Sequence, residues 1–170
     1  MHNLEFKTLL FKVAFCTMAC DGYIDEREIE ELKQMGNNSS FFGGIDLKVE
    51  LSQAIKELQT KGAKVIEELL GGLKLTKLNP IRELLILEVA LRIINADKKI
   101  DENEIKFLHL LRAKLKIHDE TIIDRFGELD ILHTNKYSKN VRNGKLNVEF
   151  LENVNLTDLN GLSDEIITNL

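Results

Sequence analysis

Ten residues, Cys20-Asp21-Gly22-Tyr23-Ile24-Asp25-Glu26-Arg27-Glu28-Ile29, put four carboxylates within eight positions. The pattern returns 76 residues later as Ala96-Asp97-Lys98-Lys99-Ile100-Asp101-Glu102-Asn103-Glu104-Ile105. Aligning Phe11–Leu32 on Leu87–Leu108 gives nine identities in 22 columns, an internal duplication in which Asp-x-x-Ile-Asp-Glu-x-Glu-Ile is kept twice. Carboxylates at this spacing suit two kinds of chemistry. They can hold a hard divalent cation through oxygen ligands, or they can cap the N-termini of helices.

Asp21 to Glu28 matches the second half of an EF-hand loop: oxygen ligand, glycine, central isoleucine, final glutamate. The first half is missing. Its first and third ligand positions fall on Thr17 and Ala19, and in the second copy on Ile93 and Asn95. The chain therefore carries no EF-hand. Helix chemistry accounts for most of the motif. Asp25 and Asp101 stand in N-cap positions, Glu28 and Glu104 complete capping boxes, and Ile24/Ile29 and Ile100/Ile105 form hydrophobic staples. Glu26 and Glu102 suit a first turn through the helix dipole. Asp21 and Asp97 are left over. Each ends an apolar helix, where a carboxylate faces the negative end of the dipole and calls for a compensating cation, side chain or backbone donor. Two readings stand: a weak Ca²⁺ or Mg²⁺ site formed by Asp21, Asp25 and Glu28 and again by Asp97, Asp101 and Glu104, or a purely structural motif.

The elements that must position these residues are helices. Residues 3–20 and 80–96 are the two most apolar stretches and read as central, buried helices. The first is ended by Asp21-Gly22, and the second starts at Asn79-Pro80, a cap followed by proline at the first helical position. Further helices are expected over 26–35, from the Asp46 cap to about residue 60, over 63–70 ended by Gly71-Gly72, from Asp101 through Leu115, and over 119–126. Beyond residue 128 the chain turns rich in Asn, Lys and Ser. Arg142-Asn143-Gly144-Lys145 reads as a hairpin turn before a strand carrying Leu146, Val148 and Phe150, and Ser163 as the cap of a last helix with Ile166 and Ile167. The expected architecture is all-α: a compact bundle of about seven helices with internal pseudo-symmetry over residues 1–128, then a C-terminal extension, 129–170.

At 170 residues the chain can bury a full core. A net charge of −5 removes the general electrostatic case for nucleic-acid binding. No apolar run reaches the about 18 residues of a membrane span. Lys7, the apolar run and Thr17-Met18-Ala19-Cys20 faintly resemble a lipoprotein signal. Glu5, Lys12 and Thr17 argue against it, as does the alignment of 11–20 with an internal helix. Cys16 and Cys20 read as small core residues of a reduced, cytoplasmic protein, with thiol chemistry toward metalloids as the sharper alternative. His109 reads as half-exposed, and Lys48, Lys56, Lys61, Lys64, Lys74 and Lys77 as a solvated face. No hydrolase, phosphate-loop, dinucleotide or zinc-protease motif is present, so nothing points to an enzyme.

Ala-Cys-Asp-Gly-Tyr-Ile-Asp-Glu-Arg-Glu after one apolar helix, and Asn-Ala-Asp-Lys-Lys-Ile-Asp-Glu-Asn-Glu after another, resemble the TerB-like tellurite-resistance family over about residues 1–127. The resemblance implies an all-helical, pseudo-symmetric fold and a non-enzymatic role in stress response and tellurite resistance. It also implies protein partners, some of them membrane-associated, and divalent-metal binding through Asp21, Asp25, Glu28, Asp97, Asp101 and Glu104. Lys98 and Lys99 depart from the pattern in the second copy, and residues after 128 have no counterpart in it.

Overall fold

The computed structural model describes residues 1–38, 40–96, 99–133 and 135–154. Among them the chain is all-helical. The α-helices are α1 (Asn3–Ala19), α2 (Glu26–Gly36), α3 (Leu47–Lys61), α4 (Lys64–Leu75), α5 (Pro80–Ile94), α6 (Glu102–Arg112), α7 (Asp119–Phe126), α8 (Asn135–Arg142) and α9 (Lys145–Asn153). A 3-10 turn, Asp130–Leu132, separates α7 from α8. No helix among the described residues is long and apolar enough to cross a membrane.

The core is the pair α1 and α5, which pack against each other more extensively than any other two elements. Phe11, Val13, Ala14, Phe15 and Met18 of α1, and Leu87, Val89, Ala90, Ile93 and Ile94 of α5, are fully buried or nearly so. Each helix is too apolar to leave a face in water, so both must be covered on several sides. The duplication settles how. The second helix of each copy packs on the first helix of the other, α2 on α5 and α6 on α1, and α6 packs on α5 as well. At the N-terminal ends of the pair the Arg82 guanidinium lies 4.8 Å over the Phe6 ring, so α1 and α5 start side by side. Arg92 of α5 pairs with Glu31 of α2 at 2.5 Å, and Arg125 of α7 with Glu88 of α5 at 2.8 Å. Buried Glu83 accepts from the amides of Lys116 and Ile117, at 2.9 and 2.5 Å, tying the turn after α6 to α5.

Three expectations of secondary structure are corrected. Helix α4 does not stop at Gly71-Gly72 but runs through to Leu75. Each interior glycine costs about 1 kcal/mol relative to alanine, yet Ile66, Leu69, Leu70 and Leu73 bury one face of the helix across the glycines, at about 1.5–3 kcal/mol per side chain. Helix α6 ends at Arg112, before Leu115, and the chain then turns so that Leu115 and Ile117 still reach the core. The segment after residue 142 is not a hairpin. Gly144, at φ 72°, breaks α8 from α9, and α9 buries Leu146 and Phe150 while Val148 is 55% exposed. A strand would put all three on one face; a helix separates Val148 from the pair four apart. Helix α9 packs on α6 and α4, and Tyr137, Leu146 and Phe150 join the same core as α1 and α5. The helix expected near Ser163, Ile166 and Ile167 lies outside the described residues.

His109 is buried rather than half-exposed, at the junction between α6 and this C-terminal segment. Its Nε2 lies 2.9 Å from the Ile131 carbonyl oxygen, which makes Nε2 the protonated nitrogen, and its ring lies 5.3 Å from that of Tyr137. The Tyr137 hydroxyl donates to Glu102 at 2.9 Å. Burial pushes the imidazole below its ordinary value of 6.5, partly offset by the Ile131 bond. When the packing opens, the ring regains the ordinary value and takes up a proton more readily. The packed state is therefore fully favoured above about pH 6.5 and loses ground as pH falls toward the lowered value. Thermal melts at pH 7.5 and 5.5 should show a drop of a few degrees in the wild type that shrinks in His109→Gln, whose amide can still donate to Ile131.

Candidate functional site

The two acidic motifs fold into two helix–turn–helix corners built to the same plan. In the first, Asp25 Oδ1 accepts from the Arg27 amide at 2.8 Å, and the Asp25 amide donates to Glu28 Oε2 at 2.8 Å. In the second, Asp101 Oδ1 accepts from Asn103 N at 2.7 Å, and the Asp101 amide donates to Glu104 Oε2 at 2.8 Å. Both capping boxes are complete. Glu28 and Glu104 are each only 5% exposed, so their carboxylates turn toward the core rather than outward as ligands. The staples are unequal: Ile24 is 4% exposed, Ile100 48%.

Asp25 carries a further load. The Arg27 guanidinium lies 2.8 Å from its Oδ1 and 3.0 Å from its Oδ2, and this side-chain bond, with the Arg27 amide, holds the Asp25 carboxyl below its ordinary value. In the second copy residue 103 is an asparagine. Asp21, which helix chemistry left over, accepts from the Tyr23 amide at 2.8 Å, so a backbone donor within the turn helps compensate its place at the end of α1. Gly22, at φ 86°, gives that turn its left-handed residue. Asp97 and its neighbour Lys98 lie outside the described residues.

The thiol of Cys20 records where the corners stand relative to each other. It is fully buried, and after burial the largest influences on it are the carboxylates of Glu104, Asp21, Glu28 and Asp101. Two belong to each motif copy. The corners thus lie at one end of the bundle, around the C-terminus of α1. This follows from the fold: α1 and α5 start side by side, so the turns that follow them emerge together. The sequence carried a signal for this in the duplication itself, but nothing in it singled out Cys20 as the meeting point. Among the described residues, no three His, Cys, Asp or Glu side chains form a group that would hold a metal ion. Asp25, Glu28, Asp101 and Glu104 each spend an oxygen on a helix start.

Comparison of the chain with models of known protein families, with characterised proteins and with solved structures gives no match.

Cys16 and Cys20 are 1% and 0% exposed. Burial pushes the Cys16 thiol from 9.0 up to about 12, with Lys12 opposing and Glu57 adding to the shift. Burial and the four carboxylates push Cys20 well above its ordinary value. Since the thiolate is the reactive form, about one Cys16 in 10⁴ is ionised at pH 8. Both thiols should therefore stay unmodified by a disulfide reagent for as long as the chain is folded, and both should react at once in denaturant. Rapid labelling of either in the folded chain would restore the thiol reading.

Proposed function

We propose that this chain is a non-enzymatic, partner-binding helical module of the TerB-like kind, acting in the cytoplasm in stress response and tellurite resistance, with acidic motifs that serve to fix helix starts. The observation that carries the structural part is the engagement of the repeated carboxylates with their own backbone: the same capping box, closed at the same 2.8 Å, occurs twice. A protein that keeps such corners in both copies keeps two rigid turns at one end of the bundle, which suits a surface presented to a protein partner, membrane-associated partners included. The resemblance in the doubled motif supplies the biological setting.

A second reading has its own support. The carboxylates of Asp21, Glu28, Asp101 and Glu104 all bear on Cys20, so both copies bring negative charge to one end of the fold. Weak Ca²⁺ or Mg²⁺ binding there, with Asp97 as the sixth residue of the set beside Asp25, would be drawn to that charge.

Thermal melting with and without millimolar Ca²⁺ or Mg²⁺ separates the two. On the structural reading Asp25→Ala and Asp101→Ala each lose about 0.5–2 kcal/mol of stability, and neither cation shifts the wild-type midpoint. On the cation reading the midpoint rises with cation, and the rise is lost in Asp21→Asn/Asp97→Asn. Expression in a tellurite-sensitive bacterium checks the setting: unchanged tolerance would remove tellurite resistance from the proposal.

A further inference from the structure

A groove of about 390 Å³ runs between α1, α3 and α4, away from the acidic corners. Its floor is apolar: half-buried Leu9, Ala54 and Val65 face it, over the buried side chains of Phe11, Phe15 and Leu69. The lining extends from Thr8 to Cys16 on α1, from Glu50 to Glu57 on α3, and from Val65 to Gly72 on α4. At 1.5 Å per residue each wall is about 10–12 Å long, the length of two helical turns.

The carboxylates on its α3 wall are set apart from those elsewhere in the fold. Half-buried Glu31, Glu88 and Asp25 meet Arg92, Arg125 and Arg27. Buried Glu83, Glu28 and Glu104 accept from backbone amides. Glu50 and Glu57 are also half-buried, yet neither has an ion pair within 4 Å among the described residues; Glu57 accepts a 3.4 Å bond from Gln53 and feels the charge of Lys61, which is itself engaged by Glu68. Glu50 and Glu57 sit seven residues apart on one face of α3, two turns from each other. Across the groove Glu68 is already matched by Lys61 at 2.8 Å, and Lys12 is the single lysine in the lining. The α4 wall adds a second oddity. Gly71 and Gly72 occupy a helix interior, where glycine is a poor choice, but a Cβ at either would meet nothing within 4 Å. No contact inside the described chain requires them. Of the two, Gly72 lines the groove, and its bare backbone lets a partner's helix come close.

We propose that this groove binds a basic amphipathic helix of a protein partner: apolar side chains at i, i+3/i+4 and i+7 fill the floor, and two Lys or Arg residues two turns apart meet Glu50 and Glu57. The inference rests on the partner-binding reading above and gives that partner its chemistry. The protein contains no tryptophan, so a 14-residue helical peptide with one Trp anchor, Leu at the remaining floor positions and two Lys spaced by seven reports binding through its own fluorescence. It should bind the full chain with micromolar affinity. Affinity should fall at least tenfold for Glu50→Gln/Glu57→Gln, for Gly72→Leu, and for a peptide with Glu in place of both Lys. A circular-dichroism melt of each variant establishes that it is folded. Absence of binding, or equal binding to the wild type and the folded Glu50→Gln/Glu57→Gln variant, overturns the proposal. So does a wild-type dimer in sedimentation that Gly72→Leu dissociates, which would assign the groove to a second copy. Failed peptide binding by a chain whose expression raises tellurite tolerance strikes the groove alone, whereas expression that leaves tolerance unchanged strikes the wider reading.

Discussion

The contact between α1 and α5 is the constraint on which the rest of this structure depends. Both helices are apolar on nearly every side, and neither can stand against water on its own. Placed together they cover one face of each and leave the others bare. The remaining helices are the answer to that deficit, and the duplicated sequence supplies the first two of them: α2 covers α5, and α6 covers both α1 and α5. A turn of defined geometry is needed at each departure, because a misdirected α2 or α6 would leave the central pair uncovered. The capping boxes provide it. Their energetic contribution is small beside that of the core, but their directional contribution is large: each fixes the first turn of a helix whose burial the core requires.

What the sequence made legible is what is local. Asp25 with Glu28, Asp101 with Glu104, and Asn79 before Pro80 state their helix starts within four residues, and all three starts fall where those residues put them. What it concealed depends on tertiary burial. Gly71-Gly72 is a strong stop signal in isolation, but Leu70 and Leu73 lie on either side of it and gain more from the core than the glycines lose. Arg142-Asn143-Gly144-Lys145 contains a genuine turn, with Gly144 left-handed, yet the turn joins helices because Leu146 and Phe150 find a pocket four residues apart rather than two. His109 looked half-exposed because its cover, Ile131 and Tyr137, comes from a segment whose own composition gave no sign of docking. Of the candidate site, the caps were readable; the approach of both corners to Cys20 was not, since it depends on α1 and α5 starting together.

The acidic motif shows how one set of residues can satisfy two accounts at the level of sequence and be divided by geometry. A metal site and a capping box ask for the same side chains. They differ in where the oxygens point. Glu28 and Glu104 point inward and serve N-cap amides, and Asp25 is held between an amide and a guanidinium. Oxygen atoms used in this way are poor first choices for a cation, because binding would have to compete with bonds that already fix the helix starts. The carboxylates of both corners still bear on the buried thiol of Cys20.

Duplication also makes the departures from symmetry informative. Arg92 and Glu31 form an ion pair between α5 and α2, and the equivalent positions in the other copies are Cys16 and Phe107, both buried. Where one side of the bundle uses a charge pair at this level, the other uses apolar filling. The two solutions leave different surfaces. On the α5 side Arg92 also lies over the Phe41 ring, at 5.3 Å, and Glu88 is covered by Arg125, so that flank is closed by charge. On the α1 side the residue equivalent to Glu88 is Lys12, exposed at the edge of the groove with Cys16 beneath it. The copies have therefore kept in common what turns the chain and diverged in what flanks the central pair. The shared residues account for the fold, and the place to look for what distinguishes this protein is the flank where α1, α3 and α4 leave an open apolar floor.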